Sequence, residues 1–488
     1  MIVKRAIFQT LGSRQISLAV MAVSTVVLAR LLTPVDFGVF ATAIAITTVA
    51  ATIIDFGLPE FLIQKSRIDR ETLASAAGLT LVLAVAIVAV LCIALLFLPI
   101  GILPPAMRPV LALLLVALLV KPLTMPIETT LRREVKFGLV SILSVVKVAT
   151  QATVAIALAV SGFGALSLAG GVLAETVLAT TILIFAGGHG RLARPSLKKW
   201  PLLSAFGLRY TAIALLSKIG DLLIALSITR LLGLSSLGQL DRARTVVQLV
   251  DRSLLDGIEP VVLPALSHLL RDGSDPAALY MAKTRYLAAL CWPAFAVIAL
   301  LAEPLVAVFL GPQWDTTVPA VQILALIGLF LPFTKMSRKL FIAFGMTKKY
   351  LYLQIIHQSL RVALTAGGAL ISFHAACLGI AAAYGVKAFL VMPPIKAVTG
   401  YSVTELLSVC LRCMGMTVCA VVGPASLLVL APGLSNIMML TSGISLAGLG
   451  WLLGAAMMRD PLLAEIATMV GFRLPAFLTA GGRKHDSG

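Results

Sequence analysis

Runs of apolar residues, each about 20–25 long and separated by short polar gaps, make up most of this chain. A run of that length crosses a ~30 Å hydrocarbon layer as a helix, and a helix satisfies its own backbone polar groups. A β-barrel would show short alternating segments instead. Hydrophobic residues make up 59% of the 488 and charged residues 12%. A soluble domain has roughly 25% charged residues and too little interior to hide this much apolar surface. The expected class is an all-α integral membrane protein.

We place about fourteen transmembrane helices by length, at 12–32, 38–60, 73–99, 107–129, 137–160, 164–186, 203–232, 238–264, 284–310, 318–344, 350–372, 375–396, 409–431 and 435–457. The gaps alternate in charge. One set holds Lys4, Arg5 and Arg14, then Lys65, Arg67 and Arg70, then Arg132, Arg133 and Lys136, and continues in the same way to Arg459 and Arg483. The other set is nearly free of lysine and arginine. Basic gaps stay on the cytoplasmic side, so both termini are expected there. Lys4 and Arg5 before Ile16–Ala29 have the pattern of a signal peptide. The run continues through Leu32, however, and is read as a retained first helix.

An internal repeat organises these helices. Arg30-Leu31-Leu32 followed by Gly38 recurs as Arg230-Leu231-Leu232 followed by Gly238, an offset of 200 that also relates Ala43 to Ala243 and Gly57 to Gly257. Arginine is scarce inside apolar segments, so the arginine match has weight. Six spans separate the copies, and an even number gives both the same orientation. The expected organisation is an N-terminal lobe over 1–200, a C-terminal lobe over 201–400, each of six helices, and two extra helices with a tail over 401–488.

The net charge is +18. Nucleic-acid binding would gather such charge on one dense face, whereas here it is scattered over many gaps. The positive excess persists inside the spans. A Lys or Arg at the bilayer centre costs about 2.5–3.5 kcal/mol even on lenient scales, so such residues should face an interior or a water-filled cavity. Arg30, Lys218, Arg230 and Arg252 are the candidate binders of an anionic substrate. Intramembrane acids include Asp55, Glu128, Glu175, Asp221 and Asp256. Lys218 with Asp221 and Arg252 with Asp256 have helix-face spacing for ion pairs. Asp55, Asp221 and Asp256 are candidate coupling or lobe-contact carboxylates. Pro122, Pro126, Pro260, Pro264, Pro293 and Pro332 can bend their helices around a cavity.

No catalytic constellation is visible. Cys410 and Cys413 have the spacing of a metal or redox pair but lack a second pair, and read as packing residues. Trp200 and Trp314 fall at span ends, where interfacial tryptophans sit. The stretch Leu462–Leu478 reads as a short interfacial helix. No metal and no cofactor are expected.

The segment Leu28-Ala-Arg-Leu-Leu-Thr-Pro-Val-Asp-Phe-Gly38, with Asp55-Phe-Gly-Leu58 and Ile63-Gln64, resembles the start of the Wzx-like oligosaccharide flippases. These form the polysaccharide transporter family of the multidrug/oligosaccharidyl-lipid/polysaccharide exporter superfamily. Leu263-Pro-Ala-Leu-Ser-His268 resembles a later motif of the same family. The resemblance implies movement of an undecaprenyl-pyrophosphate-linked oligosaccharide across the bacterial inner membrane by alternating access, with Arg30 and Arg230 as carried-over positions. It also implies a lipid-linked anionic glycan and membrane lipids as partners, and a polysaccharide polymerase and co-polymerase as candidates. The alternatives are a cation-coupled multidrug or small-molecule exporter on the same fold, which needs a membrane carboxylate cluster, and a membrane enzyme of polysaccharide assembly, which the short outer gaps disfavour.

Overall fold

The computed structural model describes residues 2–65, 68–97, 104–133, 137–187, 195–250, 275–335, 337–458, 460 and 462–463. Among these residues every regular element is helical. The chain divides into two compact units, Met1–Asp241 and Arg242–Gly488.

The first unit holds α1 (Ile2–Leu31), α2 (Pro34–Asp55), α3 (Leu58–Gln64), α4 (Arg70–Phe97), α5 (Met107–Val120), α6 (Met125–Arg133), α7 (Phe137–Val160), α8 (Ala165–Gly187) and α9 (Trp200–Leu232). The helix α10 (Leu234–Val250) starts in it. Helix α1 packs on α7, α7 on α8, and α2 on both α5 and α9. Val39, Ala43, Ala50, Val110, Leu114 and Ala169 lie in a core built by α2, α4, α5 and α8.

The start of α2 shows how the repeated segment sets local structure. Thr33 Oγ1 accepts from the Asp36 amide at 3.2 Å, and the Asp36 carboxylate accepts from the Thr33 amide at 2.9 Å. This capping box satisfies two of the donors a helix start leaves open. The second Asp36 oxygen accepts from the Ala165 amide at 3.0 Å and so ties α2 to the start of α8. The end of α2 is equally determined. Phe56 and Gly57 both take the left-handed conformation, at φ 46° and 62°, which breaks the helix directly after Asp55. The aromatic ring of Tyr210 fills the space a Gly57 side chain would need.

The second unit holds α11 (Pro276–Leu300), α12 (Ala302–Phe309), α13 (Val318–Ala325), α14 (Ile327–Thr334), α15 (Ser337–Ala343), α16 (Thr347–Ala369), α17 (Phe373–Thr399), α18 (Val403–Leu430) and α19 (Asn436–Met457). Helix α11 packs on α14 and α18, α16 on α17, and α18 on α19. Asp275 caps α11, accepting from the amides of Ala277 and Ala278, and Pro276 opens it. This helix therefore starts earlier than its apolar run, and Lys283, expected in a gap, lies in it and is buried.

Ten helices are long and apolar enough to cross a membrane, and two further pairs bent by 54° and 74° bring the figure to 12 among the described residues. The run over 350–372 forms α16, which is long enough but too polar for that criterion. The run over 238–264 is described only as far as Val250. The 54° bend falls at Thr124, between Pro122 and Pro126. The 74° bend falls at Leu301, ahead of Pro304, and not at Pro293, which α11 absorbs. Large side chains such as Leu96, Phe97, Leu430 and Ile371 are exposed, as in a protein whose outer solvent is lipid.

Trp314 departs from its expected place. It is fully buried in the 3-10 turn Pro312–Thr317, so it is not an interfacial anchor. Trp200 is exposed at the start of α9. Cys413 is buried, and its thiol points to the Arg285 carbonyl at 3.8 Å, a packing contact. The stretch 464–478, Pro260, Pro264 and the motif Leu263–His268 lie outside the described residues.

Candidate functional site

The two copies of the repeat meet each other within the first unit. Helices α2 and α10 start 200 positions apart, at Pro34 and Leu234. A Cβ on Gly38 would sit 1.9 Å from the Leu234 carbonyl oxygen, and a Cβ on Gly238 would sit 1.9 Å from that of Pro34. The contact is reciprocal: the glycine of each copy receives the first turn of the other. The hydroxyls of Thr42 and Thr229 hydrogen-bond at 3.2 Å beside this crossing.

Arg30 and Arg230 lie in the last turns of α1 and α9, both exposed. A cation there is favourable against the negative end of the helix dipole. Lys218 and Asp221 lie further back on α9, half-buried. Arg252 and Asp256 lie outside the described residues.

Asp55, Glu128 and Glu175, distant in sequence, converge through lysines. Lys121 Nζ lies 3.2 Å from Asp55, and Lys147 Nζ lies 3.5 Å from Glu128. Glu175 on α8 is within electrostatic reach of Lys147, Glu128 and Lys121. The bend at Thr124 makes this possible, because it brings Lys121 and Glu128 of one broken helix to two different neighbours. The group contains three acids and two lysines on α2, the α5–α6 bend, α7 and α8. The sequence showed each acid on a different helix, and the lysine bridges were not apparent from it.

A second set of ionic contacts lies outside the spans. Lys199, just ahead of α9, pairs with Asp69, which also accepts from Thr72. Lys199 lies 3.3 Å from Glu71 as well. The Ser196 amide donates to the Ala74 carbonyl at 3.0 Å. These contacts clasp the segment before α9 to the start of α4. The Lys199 and Thr72 bonds hold the Asp69 carboxyl far below the usual carboxylate range, and Asp69 in turn raises the Lys199 ammonium.

In the second unit an apolar groove of about 530 Å³ runs between α10, α11, α12, α18 and α19. Val297, Leu301, Phe309, Leu440, Ile444 and Trp451 are among its lining residues. The one polar edge in that set, the Trp451 indole N–H, is spent on the Ala289 carbonyl at 2.9 Å.

Helix number, paired broken spans and ion pairs between helices define the class as a multi-helix membrane protein. Lipid II flippase MurJ in its inward closed conformation shares that fold, with a TM-score of 0.74 and 14% identity over 94% of this chain and 99% of that one. Residues 27–319 match the polysaccharide biosynthesis protein family, and the chain belongs to that family. Two relatives are the succinoglycan biosynthesis transport protein ExoT of Rhizobium meliloti (strain 1021) and the lipopolysaccharide biosynthesis protein WzxC of Escherichia coli (strain K12). ExoT is 25% identical over 64% of this chain, and WzxC 23% identical over 63%. The matches span 65% and 63% of the relatives' own lengths, less than two thirds of each.

Proposed function

We propose that this protein moves an anionic, polyprenyl-diphosphate-linked oligosaccharide across the bacterial inner membrane by alternating access. The observation that carries the reading is the apolar groove of the second unit, in a family of polysaccharide biosynthesis proteins. Among the described residues the groove presents no free polar group, which suits a polyprenyl tail and offers nothing to a sugar. The basic excess of the chain suits the diphosphate. The relatives' names, a succinoglycan transport protein and a lipopolysaccharide biosynthesis protein, point to the same class of cargo.

On this reading Arg30, Arg230, Lys218 and Arg252 face the anionic headgroup during its passage. Asp55, with Glu128 and Glu175, takes up a coupling cation or proton, and Asp221 and Asp256 serve as coupling or lobe-contact carboxylates. The lobes over 1–200 and 201–400 move against one another, with the helices after 400 appended. The termini are cytoplasmic, and a polymerase and co-polymerase take the product on the outer side. No step of this kind makes or breaks a covalent bond.

Deletion of the gene tests the reading. Lipid-linked glycan should accumulate and surface polysaccharide should disappear. Complementation with Arg30→Ala/Arg230→Ala should fail although the protein inserts, and full export by that variant would remove the arginines from the mechanism. The linked carboxylates of the first unit favour one second reading, a cation-coupled exporter of small molecules. It requires a deletion strain with altered sensitivity to cationic compounds and normal polysaccharide.

A further inference from the structure

The segment 195–199, just ahead of α9, lies across the first turns of α4 on a seat shaped for a main chain. Two backbone amides fasten it. That of Ser196 donates to the Ala74 carbonyl at 3.0 Å, and that of Lys199 to Ser75 Oγ at 3.2 Å. A Cβ on Gly78 would sit 2.1 Å from the Ser196 carbonyl oxygen, so the segment lies this close because position 78 has no side chain. Thr72 and Ser75 of the same stretch of α4 are fully buried. At the edge, Lys199 pairs with Asp69 and lies 3.3 Å from Glu71, and Lys198 Nζ lies 3.9 Å from Glu71.

These fastenings are precise but weak. The segment buries no large apolar side chain: Leu197 is 47% exposed, and Trp200 directly after it 54%. Asp69 and Glu71 are about half exposed, and Lys198 more so. Ion pairs open to water hold loosely and are screened by salt. A permanent joint is made by apolar burial, as in the core of α2, α4, α5 and α8. A close-fitting seat held only by polar, water-exposed contacts suits docking and release. Its place in the chain gives release a consequence. By the 200-residue offset α9 is the counterpart of α1 and opens the second half, yet it lies in the first unit. The segment fastens the start of this helix, which carries Lys218, Asp221 and Arg230.

We propose that residues 195–199 are a releasable strap: docked on α4 they fix the start of α9 to the first unit, and undocked they let that end of α9 move during the transport cycle. The proposal rests on the alternating-access reading of the protein. Release exchanges the ammonium partners of Asp69 and Glu71 for water and uncovers the Ala74 carbonyl and the Ser75 hydroxyl, all of which water can satisfy. Redocking is guided by the same two acids and completed at Gly78.

A disulfide across the seat tests this. Ala74→Cys/Ser196→Cys joins two residues whose backbones are already hydrogen-bonded, in a Cys92→Ser background that removes the exposed native thiol. The full-length protein, reconstituted with a polyprenyl-diphosphate-linked oligosaccharide, should lose transport about tenfold or more on oxidation and regain it on reduction. Either single-cysteine variant should be indifferent to oxidation. Transport at the parental rate by the fully oxidised pair overturns the proposal, because the strap then has no need to open. A second readout needs no transport. Ser75→Cys should react to completion with a polar maleimide in the folded protein, while the buried native Cys413 stays unlabelled. Gly78→Ala favours the α4 helix and obstructs only the strap, so it should speed this labelling about tenfold or more; Asp69→Asn should speed it about threefold. Ser75→Cys that labels only after denaturation, or at one rate in all three backgrounds, overturns the strap. If the wild-type protein moves no lipid-linked glycan, the flippase reading fails by itself, and the labelling rates alone decide whether the strap opens.

Discussion

Replacing Gly38 by alanine isolates the crossing between the two repeat copies. The added methyl would sit 1.9 Å from the Leu234 carbonyl oxygen and 2.6 Å from its carbon. An ordinary carbon–oxygen contact is about 3.3 Å or longer, so the backbones must separate by more than about 1 Å. No rotamer change can relieve this, because the obstructing atoms are main chain on a helix start. Overpacking of this kind costs about 1–3 kcal/mol, and a backbone obstacle puts it at the upper end. A cost of about 2–3 kcal/mol corresponds to a shift of about 30- to 150-fold away from the crossed arrangement. The Thr42 and Thr229 hydroxyls beside it are 3.2 Å apart. Sulfurs in their place need to move only about 1 Å to reach a disulfide length of ~2.05 Å. Oxidative cross-linking of Thr42→Cys/Thr229→Cys should be efficient in the parent and should fall sharply with Gly38→Ala or Gly238→Ala. Gly12→Ala, with open space around its Cβ, serves as the control. Parental cross-linking and thermal stability in both glycine variants would refute the reciprocal crossing.

Three further outcomes are expected. The depressed Asp69 carboxyl contributes stability that is present above the unfolded carboxylate value near ~4 and lost as pH falls through the folded value, while the raised Lys199 contributes below ~10 and is lost at higher pH. Hydrogen-exchange protection of residues 196–199 should therefore stay flat from about pH 5 to 9 and drop in Asp69→Asn at neutral pH; equal protection in the variant refutes the clasp. A double-mutant cycle on Glu128→Gln and Lys147→Met should return a coupling of about 0.5–1 kcal/mol for this partly exposed pair, and additivity would show that they do not interact. Ile444→Trp should obstruct the groove and abolish export while changing stability by no more than about 0.5 kcal/mol; full export would take the groove out of the transport path.

Much of this architecture was readable because a membrane reduces folding to a few rules. Apolar length gives the helices, and Arg30 with Gly38 and Arg230 with Gly238 give a repeat that the structure converts into a mutual contact at the two glycines. The start of α2 was placed at 38, four residues late, because the capping box of Thr33 and Asp36, not hydropathy, begins that helix. The start of α11 at Pro276 was missed because Asp275 and Pro276, not hydropathy, begin that helix. Trp314 was misread because its position at the end of a run says nothing about the turn that folds it inward. The carboxylate–lysine group was hidden for a different reason. Asp55 and Lys121 are 66 residues apart and Lys147 and Glu128 are 19 apart, and only the bend at Thr124 sends one helix to both partners.

The most direct measurement reconstitutes the purified protein into liposomes with a polyprenyl-diphosphate-linked oligosaccharide and follows how much glycan becomes accessible to a membrane-impermeant lectin. Accessibility should rise from the outer-leaflet fraction towards completion with the wild-type protein, and remain at that fraction in protein-free liposomes and with the Arg30→Ala/Arg230→Ala variant. No gain over protein-free liposomes, with the protein folded and correctly inserted, would contradict the assignment as a lipid-linked oligosaccharide flippase.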